Sequence, residues 1–212
     1  MVEICGIIYD IDTTLELNIY NKGLKNLPTN ILKLINLKKI NCGFNNLSNI
    51  DILNNLTNLI EINCIFNKIT SLNFLPFSLK TLYCGCNQIL RLDNLPYGLE
   101  ILDCFGNKID SLDNLPITLY KLGCSKNKLI SIDNLPNSIE ELLCIDNYIS
   151  SLNDLPIKLK HLECANNKIT RIDIIPAYLE KLNTSIFQKY IYKFPHSIEN
   201  INKYNKQFTK AI

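Results

Sequence analysis

Five cysteines stand twenty residues apart, at Cys84, Cys104, Cys124, Cys144 and Cys164; Cys64 precedes them by twenty and Cys42 by a further twenty-two. An asparagine follows each one three places later, at Asn45, Asn67, Asn87, Asn107, Asn127, Asn147 and Asn167. A leucine or isoleucine stands two places before each cysteine, and another two places after each asparagine. Pro28, Pro76, Pro96, Pro116, Pro136, Pro156, Pro176 and Pro195 each follow an apolar residue on the segment that returns to the next unit. A fixed spacing across so many slots means one supersecondary unit used repeatedly, and such units bury their apolar faces only by stacking.

The unit reads L-x-x-L-x-C-x-x-N-x-I-x-x-L-x-x-L-P-x-x. Its L-x-C segment alternates apolar with open positions, the period of a half-buried strand. Repetition stacks those strands in parallel at about 4.8 Å and turns the apolar slots into internal ladders. The return segment is too short for a full α-helix, and proline removes a backbone donor. Extended or 3-10 turns are therefore expected on the convex side, with a short helix at 28–37, where the apolar spacing is longer. Each ladder asparagine marks the exit from a strand. Its amide can donate and accept at once, serving backbone groups of its own and the neighbouring unit.

This consensus, over roughly residues 24–201, resembles the leucine-rich repeat family, in which cysteine commonly replaces the third leucine. The twenty-residue form with L-P-x-x-L-x-x-L is similar to the short repeats of bacterial effectors and of amoebal and giant-virus proteins. The resemblance implies an α/β solenoid arc with one curved parallel sheet on its concave side, little helix, and a concave binding surface. It names no ligand. Some effectors with such repeats carry a ubiquitin-ligase domain with a catalytic cysteine; the short stretch between the last repeat and Ile212 makes one unexpected here. The expected organisation is an N-terminal cap at 1–23, the array at 24–178, a C-terminal cap at 179–201 and a tail at 202–212.

Composition narrows function further. Hydrophobic residues make up 47% of the 212-residue chain, charged residues 20%, and the formal net charge is +2. These values fit a folded protein with no field that would by itself attract nucleic acid or membrane. The N-terminus lacks a basic leader and a long apolar run, so a signal peptide is not expected. The nine cysteines, an odd number, point to a reducing cytoplasmic setting, which for a viral or effector protein would be the host's.

No catalytic constellation emerges, and no enzyme activity, cofactor or metal is expected. The ladder cysteines form a line of thiols rather than a converging tetrahedral set. Strand spacing also holds neighbouring Cβ atoms farther apart than the ~3.8 Å a disulfide prefers. They read as small buried hydrophobes. Cys86 differs, two places beyond a ladder cysteine and open to the concave side. His161 and His196 have no catalytic partner at recognisable spacing, and Asp93, Asp113, Asp133 and Asp154 read as turn formers rather than calcium ligands. Basic and aromatic residues interleave after Ser185, but without any RNA-binding motif, and nucleic acid is not an expected partner.

The outward strand slots are free of the core rule, and they are unusually apolar. Phe44, Ile65, Phe66, Tyr83, Ile101 and Phe105 form one group, and Leu143 with Ile145 a second. Charges around them, among them Asp103 and Lys121, form a polar rim. Aromatic anchors inside a polar rim mark a protein interface. The expected partner is another protein, held on the concave sheet by a monomer. The alternative is a structural subunit that assembles with its own copies.

Overall fold

The computed structural model describes residues 1–169, 176–184 and 192–193. The chain enters through an antiparallel hairpin, β1 (Val2–Ile4) and β2 (Ile7–Tyr9), with Val2 facing Tyr9 and Ile4 facing Ile7. It then lays down parallel strands of three residues each: β3 (Glu16–Asn18), β4 (Lys39–Asn41), β5 (Glu61–Asn63), β6 (Thr81–Tyr83), β7 (Ile101–Asp103), β8 (Lys121–Gly123), β9 (Glu141–Leu143), β10 (His161–Glu163) and β11 (Lys181–Asn183). The last strand described, β12 (Tyr192–Lys193), pairs antiparallel with β11. The strands lie in sequence order, and the described sheet has ten of them, from β3 to β12.

The register follows the repeat. Ile40, Ile62, Leu82, Leu102, Leu122, Leu142 and Leu162 align from strand to strand, and all are buried. The cysteine, isoleucine and leucine slots run beside them as further ladders in one continuous core. Leu17 aligns with Ile40 at the head of this column. The segment before the cysteine units thus contributes both a hairpin and an edge strand.

Six prolines act alike on the return segments. The carbonyls of Pro76, Pro96, Pro116, Pro136, Pro156 and Pro176 each accept the N–H of the residue three places on, from Leu79 to Leu179, closing one 3-10 turn per unit. Proline suits that place because the turn needs its carbonyl and not a donor. The two earlier units, which lack this phrase or lengthen it, carry 3-10 helices at Thr29–Lys33 and Asp51–Asn55.

The asparagines tie the turns together. The Nδ2 of Asn87 donates to the carbonyls of Cys64 and Cys84 at 3.0 Å each, and its Oδ1 accepts the N–H of Ile69 at 2.9 Å. The same pattern recurs at Asn67, Asn107, Asn127, Asn147 and Asn167. Among the described residues no buried side-chain nitrogen or oxygen lacks a hydrogen-bond partner. Two backbone slots lie in the left-handed region. One, just before each ladder asparagine, is filled by Phe44, Phe66, Cys86, Gly106, Lys126, Asp146 and Asn166, with φ between 53° and 65°. The other, on the return turn, is filled by Asn94, Asn114, Asn134 and Asp154. Asp154 therefore takes the asparagine slot, one place beyond that of Asp93, Asp113 and Asp133.

Candidate concave binding surface

Side chains in β3–β11 that do not enter the core point to the concave side, because successive residues of a strand face opposite ways. Four columns result. All ten residues expected to contact a partner lie in them. Ile101 and Lys121 occupy the first column, and Tyr83, Asp103 and Leu143 the second. Ile65, Phe105 and Ile145 stand in the third, with Phe44 and Phe66 in the fourth, where the carbonyls of the third column accept the N–H groups of the fourth. None is in the buried core; Phe44 and Phe66 are exposed and the rest are half-buried.

The rings form a rail. Tyr20 lies 4.9 Å from Phe44, Phe44 lies 4.2 Å from Phe66, and Phe66 meets Phe105 edge-on at 6.4 Å between centroids. The 4.9 and 6.4 Å separations fall in the ~4.5–7 Å range of favourable aromatic pairs, and Phe44 and Phe66 sit slightly closer than that. Phe105 reaches the rail because Gly85 leaves room: a Cβ at Gly85 would sit 2.2 Å from the Phe105 ring. Phe44 and Phe66 hold φ of 54° and 53°, a conformation that costs a bulky residue on the order of 1–2 kcal/mol. Each remains about 40% exposed, at 40% and 42%.

A polar break follows. The Asp103 carboxylate fills the space over Gly123, where a Cβ would lie 2.8 Å from Oδ1, and it accepts the Phe105 N–H at 3.2 Å. Desolvation holds its pKa above the ordinary carboxylate value, against the lowering effects of that hydrogen bond and of Lys121. Lys121 pairs with Glu141 at 2.6 Å. His161 lies 4.0 Å from Glu141 and 3.6 Å from Glu180. It sits in an outward strand slot, and its side-chain partners among the described residues are these two carboxylates. His196 and the basic aromatic stretch after Ser185 fall outside the described residues, apart from the backbone of β12.

All nine cysteines are free. Burial pushes the thiols of Cys42 and Cys164 up to about 12, and raises those of Cys64, Cys84, Cys104, Cys124 and Cys144 as well. Cys86 is half-buried, and partial burial raises its thiol too, opposed by the nearby Lys126 charge. None of these is an activated thiolate. Among the described residues there is no group of three or more His, Cys, Asp or Glu side chains able to hold a metal ion, and no helix long and apolar enough to cross a membrane.

Sequence reasoning missed Tyr20, which heads the rail, and a second apolar row on the convex turns. Phe77, Tyr97, Ile117 and Ile157 each follow the proline of their unit and are 85%, 87%, 83% and 63% exposed. Their shared slot was visible in the repeat. The signal was hidden by Asn137, which interrupts it.

No protein-family model matches the sequence, and no curated protein matches it. Solved structures do. YopM, a leucine-rich effector protein from Yersinia pestis, is 32% identical over 71% of this chain and 42% of that one, with a TM-score of 0.66. The functional domain of InlJ from Listeria monocytogenes, which includes a cysteine ladder, is 25% identical over 87% of this chain and 56% of that one, TM-score 0.50. Internalin C2 from Listeria monocytogenes is 22% identical over 82% of both chains, TM-score 0.74, and shares the fold. The chain spans less than half the length of the two YopM structures it matches, 42% and 39%.

Proposed function

Since the chain has the leucine-rich repeat fold and its solved neighbours are leucine-rich repeat proteins of bacterial effector type, we propose that it is a non-catalytic module holding a protein partner against its concave sheet. The observation that carries this reading is the aromatic rail. Two phenylalanines occupy a left-handed slot that glycine, asparagine or aspartate would fill at lower cost, and their rings stack without being buried. Strain retained with no gain in core packing points to a role at the surface. Tyr83 and Ile101 extend the apolar surface, and Asp103, Lys121 and Glu141 border it, the anatomy of an interface core with a polar rim. The ladder thiols suit a reducing cytoplasm, the host's in the case of an effector. The cap and array boundaries at 23, 178 and 201 form part of the same proposal.

The test is affinity capture from the organism that encodes the protein, with wild type and the Tyr83→Ala, Ile101→Ala double variant as baits. A protein retained by the first and lost by the second supports the reading. Equal retention by both overturns it. A second reading, self-assembly, is favoured by the convex row of Phe77, Tyr97 and Ile117. Light scattering after size exclusion tests it: a mass that rises with concentration in wild type and not in Phe77→Ser, Tyr97→Ser would establish it, and a monomer throughout would remove it.

A further inference from the structure

The two rims of the concave sheet treat charge differently. On the rim where the chain enters the strands, and in the first two columns, opposite signs alternate and pair. Lys39 lies 3.6 Å from both Glu16 and Glu61, Lys80 lies 2.9 Å from Glu100, Lys160 lies 2.7 Å from Glu140, and Lys181 lies 2.6 Å from Glu163. On the rim where the chain leaves the strands, the slot after the ladder asparagine holds Lys68, Lys108, Lys128 and Lys168. All four are exposed, and none makes an ion pair among the described residues. Lys168 rests instead on the Tyr148 ring, 4.9 Å from its centroid. Lys126 adds a fifth charge just before Asn127, close enough to act on the Cys86 thiol. Among the described residues the acids on this rim are Asp110 and Asp146, and Asp146 accepts a hydrogen bond from Asn166 at 2.8 Å.

Gln88 and Tyr148 fill the same slot between them, so Lys108 and Lys128 are the pair on neighbouring turns, and like charges side by side repel where opposite charges would attract. The entry rim pairs Lys80 with Glu100 and Lys160 with Glu140, whereas the lysines of the exit rim have no such partners among the described residues. The aromatic rail belongs to the same rim. It covers the units from Tyr20 to Phe105, and the lysines extend beyond it to Lys168. We infer that this rim receives an extended segment of the partner with an apolar or aromatic anchor, seated on the rail, and a run of carboxylates beside the lysines. The inference rests on the protein-binding reading and specifies the partner's chemistry. From the slot of Lys108 to that of Lys168 is three strand spacings, about 14 Å at ~4.8 Å each. An extended chain covers that in about four or five residues at ~3.3 Å per residue. A short acidic run is therefore sufficient.

The experiment uses the full chain and three labelled probes: a peptide with a Phe-Gly-Phe head and a short run of glutamates, the same head followed by lysines, and an oligothymidylate. Fluorescence anisotropy is expected to show binding of the glutamate peptide alone, weakening as salt rises. Lys108→Glu with Lys128→Glu should weaken it by at least ~10-fold, while Lys158→Glu, exposed on the convex turn, leaves it unchanged. Thermal melts of each variant confirm folding, and the milder Lys108→Gln, Lys128→Gln pair serves if the reversal unfolds the chain. Failure of the glutamate peptide to bind, equal binding of the lysine peptide, or indifference to the rim variants overturns the inference. Tighter binding of the oligothymidylate also overturns it, in favour of a nucleic-acid strand. If Tyr83→Ala, Ile101→Ala releases a captured partner and the rim variants do not, the inference falls and the concave reading stands. If only the rim variants matter, the rim inference survives and the site is confined to the rail edge of the concave surface, away from the columns of Tyr83 and Ile101.

Discussion

Asn107 gives the sharpest test of the ladder, because its partners allow the cost of each substitution to be worked out atom by atom. Its Nδ2 donates to the carbonyls of Cys84 and Cys104 at 3.1 and 2.9 Å, and its Oδ1 accepts the Ile89 N–H at 3.0 Å. Both carbonyls keep a second donor, Asn87 Nδ2 on Cys84 and Asn127 Nδ2 on Cys104. The Ile89 N–H has no other acceptor among the described residues. Asn107→Ala therefore orphans one buried donor, at a cost of ~1–3 kcal/mol. At ~2–4 °C per kcal/mol for a chain of this size, the melting temperature should fall by about 2–12 °C. Asn107→Asp keeps an acceptor for Ile89 but turns a carboxylate toward two carbonyl oxygens. The neutral acid is favoured there, so its folded pKa lies above its unfolded value. The folded state then holds more protons, and stability falls as pH rises from about 4, by up to ~1.4 kcal/mol per pH unit, until the folded pKa is passed. Urea melts at pH 4 and pH 8 read this. Asn107→Asp should lose much more than Asn107→Ala between the two, each relative to wild type. Asn153→Ala, exposed and without a side-chain hydrogen bond among the described residues, should be near neutral at both. Equal losses at Asn107 and Asn153, or a pH-independent Asn107→Asp, would refute the reasoning.

Three further outcomes are expected. Thiol labelling of the native protein should modify Cys86 and Cys5, both half-buried, and leave the seven ladder cysteines untouched until the chain unfolds, with Cys86 reacting faster as pH rises toward its raised pKa; rapid native labelling of Cys104 or Cys124 contradicts their burial. Gly85→Ala should expel the Phe105 ring from its seat and remove its edge contact with Phe66, ~0.5–1.5 kcal/mol, an effect that a double-mutant cycle with Phe105→Ala should show to be shared; additivity would place the ring elsewhere. Asp103→Asn keeps the acceptor for the Phe105 N–H, as Asn41 and Asn63 do for Gly43 and Ile65, and removes a carboxylate whose raised pKa makes its ionised form unfavourable. Its folded pKa exceeds the unfolded one, so the penalty grows as pH rises above about 4; the variant should melt higher than wild type at pH 7 and not at pH 3, and a lower melting temperature at pH 7 counts against it.

The backbone of this protein is legible in its sequence because every structural slot is paid out at a fixed period. Cys84 to Cys164 set the rise, Pro76 to Pro176 set the return turns, and Asn67 to Asn167 set the hydrogen bonds between turns. The surface is less legible, since outward slots carry no shared constraint. Nothing local says that Phe105 lies over Gly85 or Asp103 over Gly123; each fact depends on the residue one unit away. The left-handed slot could have been read from Gly106, Asp146 and Asn166, all tolerant of positive φ, but Phe44 and Phe66 disguise it. Tyr20 joins the rail from a unit with Ile19 in the cysteine slot and Lys22 in the asparagine slot, so its repeat character is visible only through its pairing with β4.

Site-specific photo-crosslinking tests the central claim most directly. A benzophenone amino acid is placed at Ile101 on the concave sheet, or at Ile117 on the convex turn, and the protein is irradiated in extracts of the organism that encodes it. The account predicts one discrete adduct with another protein from position 101 and none from 117. An adduct from 117 alone, or a cross-link between two copies of this chain from either position with no other product, would contradict it.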